Sequence, residues 1–176
     1  MINNRADLKE YLVADYNALG YSYRRVLPLF GMETVKFQKA MRMLEYYTNK
    51  NLPCYILNYM FWRYRYHKLS IKLGFDIPIN TFGKGLNIHH FGCVVVNGLA
   101  KIGTNCSIQQ GVVIGFDGKN LEAAPRIGNN VTIGAGAKVI GNINIPNNTI
   151  IGANAVVTKS FYEEGLTLKG VPAKPI

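Results

Sequence analysis

The feature that most constrains this chain is a six-residue period in its second half. Aliphatic residues stand at Ile127, Ile133, Val139, Ile145, Ile151 and Val157, and earlier at Ile102, Ile108 and Ile114. Glycine follows at Gly103, Gly115, Gly128, Gly134 and Gly152, and small residues fill the strings IGAGAK and IGANAV. Six is no multiple of the helical turn, and glycine this frequent opposes a helix. Six residues do suit a short strand plus a turn, with one large side chain pointing inward each time. Glycine, asparagine and small residues then occupy the corners, where the backbone is crowded or φ is positive. Rungs stacked ~4.8 Å apart would align the inward aliphatics into ladders that no single repeat can bury alone. The expectation is a coil of parallel strands, whose hand and activity the period does not give.

Two departures from the period mark places where function is commonly added. Between Ile114 and Ile127 the step lengthens to thirteen, so part of GFDGKNLEAAPR leaves the coil. Between Val94 and Ile102 it is eight, a two-residue adjustment at Asn97-Gly98.

The first part of the chain has another character. Sixteen of the twenty aromatic residues lie at or before Phe82 and fifteen of the eighteen glycines after it, which divides the chain into residues 1–75 and 76–176. Three helices are expected in the first part. Asn4 caps one that sets Leu8, Tyr11, Leu12 and Leu19 on one face and stops at Gly20. A second starts near Thr34 with Phe37, Met41, Leu44 and Tyr47 at helical spacing. A third takes Pro53 into its first turn and runs to Gly74. That helix mixes aromatics with Arg63, Arg65, His67, Lys68 and Lys72. The plainest reading makes its aromatics core and its cations solvent-facing. The alternatives are a helix lying on a membrane surface and a helix packed on a partner subunit.

A formal net charge of +10 favours anionic partners such as a phosphate-bearing cofactor, an acidic glycan or an anionic membrane. Nucleic acid is not expected, since no recognition motif is present. Cys54, Cys93 and Cys106 have neither disulfide nor metal spacing and read as free, mostly buried thiols in a reducing compartment. The polar start MINNRADLKE is no signal peptide, and the longest apolar stretch, Cys54 to Trp62, is too short to span a bilayer. A cytoplasmic protein is the expectation. The histidines are His67, His89 and His90, and no third nitrogen or sulfur ligand stands near the pair to complete a zinc site. A histidine is the natural general base at neutral pH.

From about Asp76 onward the chain resembles the serine acetyltransferase branch of the hexapeptide-repeat acyltransferases. The match rests on GLNIHHFG, then VVVNGLAKIGTNCSIQQGVVIG, the excursion, PRIGNNVTIGAGAKVIGNINI, IGANAVVTKS and the closing KGVPAKPI. Capsule and exopolysaccharide acetyltransferases share this framework. The resemblance implies a mainly β protein, a left-handed parallel β-helix preceded by an α-helical segment. It also implies homotrimers or dimers of trimers, with sites in clefts between subunits where acetyl passes from acetyl-CoA to a hydroxyl without a metal. His90 matches the family's catalytic histidine, and Asp76 the carboxylate that orients it; alternatively Asp76 only ends the helix-to-coil connection. Main-chain contacts to the pantetheine arm fall at Gly115, Ala135 and Ala153. Lys159 and Lys174 are candidates for the CoA phosphates, with ordinary surface charge as their alternative. The acceptor is expected beside His89 and Asp117.

Departures from the family bear on that acceptor. Serine-specific members carry an aspartate before the catalytic histidine, where this chain has His89. They also carry an arginine-histidine pair in the excursion, matched here by Ala123 and Ala124. Leaving an amino acid's charges unpaired costs several kcal/mol, so a sugar hydroxyl of a polysaccharide or its precursor is the leading expectation. Free serine is the alternative and a non-catalytic trimeric scaffold a third. With the chain ending soon after VPAKPI, no tail of the kind that docks in a partner synthase is expected.

Overall fold

A computed structural model describes residues 1–22, 32–50, 53–118 and 123–176. The helices come first. α1 (Arg5–Ala18) begins at Asn4, whose side chain accepts the Asp7 N–H at 2.9 Å while Asp7 accepts the Asn3 N–H. α2 (Glu33–Lys50) starts one residue before Thr34. A short 3₁₀ turn, Pro53–Tyr55, leads into α3 (Ile56–Leu73), which ends at Gly74 with φ of 72°.

Phe37, Met41 and Leu44 of α2 are buried as their spacing predicts, but Tyr46 replaces Tyr47 in the interior. The largest fully buried side chain of the helical part is a cation. Arg42 is fully buried between α1, α2 and the start of the coil. Its Nε donates to Asp15 at 2.7 Å, Nη1 to Glu45 and to the Phe82 carbonyl, both at 3.0 Å, and Nη2 to the Gly83 carbonyl at 2.7 Å. Asp15 also accepts the N–H groups of Gly85 and Leu86, and Glu45 that of Asn80. Burial alone would weaken the guanidinium's hold on its proton. The charges of Asp15 and Glu45 and their hydrogen bonds reverse that and raise its pKa.

α3 departs from the plain reading of its aromatics as core. Leu73 is its only buried residue, and Tyr59, Trp62, Tyr66 and Leu69 are half-buried on the side facing the molecule. Tyr66 stacks on Phe37 at 5.5 Å, and Phe37 meets Phe75 edge-on at 5.0 Å. The Tyr66 hydroxyl donates to the Ile77 carbonyl. Burial pushes its pKa up to about 12, with the nearby Asp76 charge adding and Ser70 opposing. On the other side Ile56, Leu57, Met60, Phe61, Tyr64 and Ile71 are exposed. No helix among the described residues is long and apolar enough to cross a membrane.

From Phe75 the chain winds as a parallel β-helix with three faces. The first face stacks Phe75–Asp76, Val94–Val96, Val113–Gly115, Lys138–Ile140 and Val156–Val157. The second stacks Lys101–Ile102, Arg126–Ile127 and Asn144–Ile145. The third stacks Asn87–Ile88, Ser107–Ile108, Thr132–Ile133, Ile150–Ile151 and Thr167–Lys169, closed by antiparallel Lys174–Pro175. All nine aliphatics of the six-residue period are buried and meet in register, as Ile108, Ile133 and Ile151 do. A second interior series stands two residues before them: Ala100, Cys106, Val112, Val131, Ala137, Ile143 and Ala155. Small residues fit there because three strands converge on a narrow interior. Of the three cysteines only Cys106 is buried, against the expectation for most of them, because Cys54 lies in the exposed turn before α3 and Cys93 on the exposed coil corner.

The corners use the expected chemistry. Asn105, Asn130 and Asn148 sit at φ of 55°, 56° and 58° and pass hydrogen bonds up the coil at 3.0 Å. At Gly134 a Cβ would lie 2.7 Å from the Ala153 backbone nitrogen, so close stacking excludes a side chain. Asn130 and Asn148 are 18 residues apart, one regular turn, whereas Asn105 and Asn130 are 25 apart. The excess belongs to the excursion between Gly115 and Arg126, of which residues 119–122 lie outside the described ones.

Candidate active site

His89 and His90 follow the strand Asn87–Ile88 and stand on the corner between the third and first faces, both exposed. Asn87 Nδ2 lies 3.1 Å from His89 Nε2, and the two imidazole centroids are 6.1 Å apart. Gly92, at φ of 129°, turns the chain into the first face; a Cβ there would press on Gln110 at 3.1 Å.

Successive turns continue this corner. The Gly111 N–H donates to the Cys93 carbonyl at 2.7 Å, Gly136 N–H to Gln110 at 2.9 Å, and Asn154 N–H to Ala135 at 2.8 Å. His90, Ala135 and Ala153 thus lie along one edge of the coil, with Ala135 half-buried and Ala153 exposed. Two side chains not singled out from the sequence belong to the same edge. Gln109 accepts the Ala135 N–H at 3.2 Å, and Lys138 Nζ donates to the Gly111 carbonyl at 2.5 Å. Gln109 was within reach of the repeat arithmetic: one turn plus the two-residue adjustment brings Ile88 onto Ile108, and therefore His89 and His90 onto Gln109 and Gln110.

Other candidates lie elsewhere. Gly115, in register with Ile140, ends its strand at the opposite edge of the first face, and Asp117 follows it into the excursion, exposed. Lys159 is exposed beyond the last strand of that face, its Nζ 5.4 Å from the Phe161 ring. Lys174 is exposed on the closing strand of the third face, opposite Lys169. Asp76 is exposed on the first face, in register with Val95. Among the described residues no hydrogen bond or ion pair joins Asp76 to His90. Ala123 and Ala124 are 7% and 8% exposed, packed against the chain. Among the described residues no group of three His, Cys, Asp or Glu side chains gathers to hold a metal. Hollows of about 650 and 560 Å³ lie against α3, and neither includes His90.

One chain therefore carries a histidine edge and an excursion edge on either side of one β face, on a scaffold of six-residue rungs. The bacterial transferase hexapeptide (six repeats) family matches residues 124–159. A serine acetyltransferase of Synechococcus elongatus is 39% identical over 112 residues, which is 62% of this chain and 46% of that protein. The chain spans about half the length of such sequence relatives. The crystal structure of Neisseria gonorrhoeae serine acetyltransferase superposes with a TM-score of 0.74 at 30% identity, covering 98% of this chain and 68% of that one. A serine acetyltransferase in complex with CoA superposes with a TM-score of 0.73 at 27% identity, covering 98% of this chain and 71% of that one. The chain belongs to the hexapeptide-repeat acyltransferases, on their serine acetyltransferase-like branch. Its coil is the left-handed parallel β-helix of that family.

Proposed function

We propose that this protein is an O-acetyltransferase that moves the acetyl group of acetyl-CoA to an acceptor hydroxyl, with L-serine as the acceptor. What supports this reading is His90, exposed on the coil corner and matched by its motif to the family's catalytic histidine, in a chain whose similar proteins are serine acetyltransferases. The earlier expectation of a sugar acceptor in polysaccharide synthesis gains no support from those proteins.

The chemistry needs one proton moved twice. An imidazole nitrogen of His90 takes the hydroxyl proton as the acceptor oxygen attacks the thioester carbon. The tetrahedral intermediate holds its negative charge on the former carbonyl oxygen, where preorganised backbone N–H donors stabilise it. Collapse breaks the carbon–sulfur bond, and the imidazolium returns the proton to the CoA thiolate. Asp76 is assigned to orienting His90, and His89 and Asp117 to the acceptor. The backbone at Ala135 and Ala153 runs beside His90 and suits the pantetheine arm. Gly115 stands across the first face, as does Lys159, which with Lys174 is assigned to the CoA phosphates. A homotrimer brings these pieces together, because the histidine edge of one copy can then meet the excursion edge of the next.

A sugar hydroxyl is kept as the second reading on a specific observation. His89 occupies the position before the catalytic histidine, and the buried methyl groups of Ala123 and Ala124 offer a serine carboxylate nothing. Initial rates of CoA release with L-serine and with a panel of sugars, and the mass of the acetylated product, separate the two. Saturable stimulation by serine supports the first reading. An inert serine beside an active sugar replaces it with the second. A protein that releases no CoA with any acceptor and binds no acetyl-CoA is a scaffold.

A further inference from the structure

The outward side of α3 is apolar and cationic at once. Leu57, Phe61, Tyr64, Lys68 and Ile71 recur at three- and four-residue spacing, so they form one stripe along the helix. Leu57 is 77% exposed, Phe61 52% and Ile71 71%. Arg63, Arg65, His67 and Lys72 flank the stripe. The guanidinium of Arg63 sits 5.9 Å from the Tyr59 ring centre, that of Arg65 5.7 Å from Phe61, and Lys68 Nζ 5.4 Å from Tyr64. Each cation thus lies along an aromatic one turn back, Arg63 also donating from Nη1 to the Tyr59 hydroxyl at 2.6 Å, while Arg63, Arg65 and Lys68 all remain exposed. No aspartate or glutamate occurs in α3, and among the described residues the one carboxylate paired with its cations is Glu33 of α2, 3.3 Å from Lys72.

We propose that this face of α3 docks the protein on an anionic phospholipid surface. Apolar and aromatic side chains enter the headgroup boundary while the flanking cations meet lipid phosphates. Charge selects this occupant over a second copy of the chain. A two-fold contact through the same face would set Arg63, Arg65 and Lys68 against themselves, with Glu33 already held by Lys36 and Lys72. The contact proposed is a surface one, since no helix among the described residues is long and apolar enough to cross a bilayer.

The test is sedimentation of the full chain with vesicles of phosphatidylcholine alone and of phosphatidylcholine and phosphatidylglycerol in equal parts. The wild type should partition onto the mixed vesicles and roughly tenfold less onto the neutral ones. The double variants L57S/F61S and R65Q/K68Q should each lose roughly tenfold on mixed vesicles. Because all four side chains are exposed, both variants should keep the wild-type circular dichroism and melting curve. Wild type that stays in the supernatant, or binding unchanged in both folded variants, overturns the proposal. Self-association that L57S/F61S abolishes, without vesicle binding, assigns the face to a second copy and overturns it too.

Discussion

From Phe75 onward the chain buries the same kind of side chain at each rung, whereas α1 and α2 bury a single ion network that occurs once. In the coil each aliphatic residue contacts its counterparts above and below, so stability is a sum of similar nearest-neighbour terms. In the helical part Arg42 holds two helices and the carbonyls of Phe82 and Gly83 through one side chain. The coil is redundant and the helical junction is not. The same contrast holds at the surface, where α3 leaves large apolar side chains uncovered.

Four changes would break or sharpen that contrast. The largest loss is expected for Arg42→Ala, about 3–5 kcal/mol in denaturant unfolding, because Asp15 and Glu45 stay buried without their cation. A loss below ~1 kcal/mol would show the network to be dispensable. Ile133→Ala in the middle of the coil should cost roughly 2–5 kcal/mol and leave the rungs formed. A third test uses pH. Burial raises the Cys106 thiol from near 9 to about 12, so the folded state disfavours its thiolate. That stability is complete below pH 9 and is lost as pH climbs from there toward 12. Cys106→Ala should flatten that part of the alkaline decline, and an unchanged profile would contradict the burial. The smallest effect, within ~0.5 kcal/mol, is expected for Leu57→Ser on the outer side of α3. A larger loss would mean that this face is packed in solution.

The same contrast explains what the residues disclosed in advance. Ile102 through Val157 could be placed inside the coil because a six-residue period has one physical solution, and Asn105 and Asn130 announced corners because asparagine tolerates positive φ. Asp15, Arg42 and Glu45 gave no such notice, since charged residues on a helix read as solvent-facing until a partner is known. α3 misled for another reason. Apolar residues at helical spacing cover both its sides, and periodicity does not say which side meets the core. At the site, the motif put His90 forward, and the structure sets it exposed on a corner of the coil. The stacking of Gln109 on the histidine turn lay within the repeat arithmetic, whereas its hydrogen bond to the Ala135 N–H needed the structure.

The most direct test of the account is CoA release from acetyl-CoA by the purified protein with L-serine, alongside His90→Ala. His90 is exposed, so the variant should fold as the wild type does. The account predicts serine-stimulated release that falls roughly 10²–10⁴-fold in the variant, the range expected when a general base is removed. Stimulated release that persists unchanged in His90→Ala would contradict it.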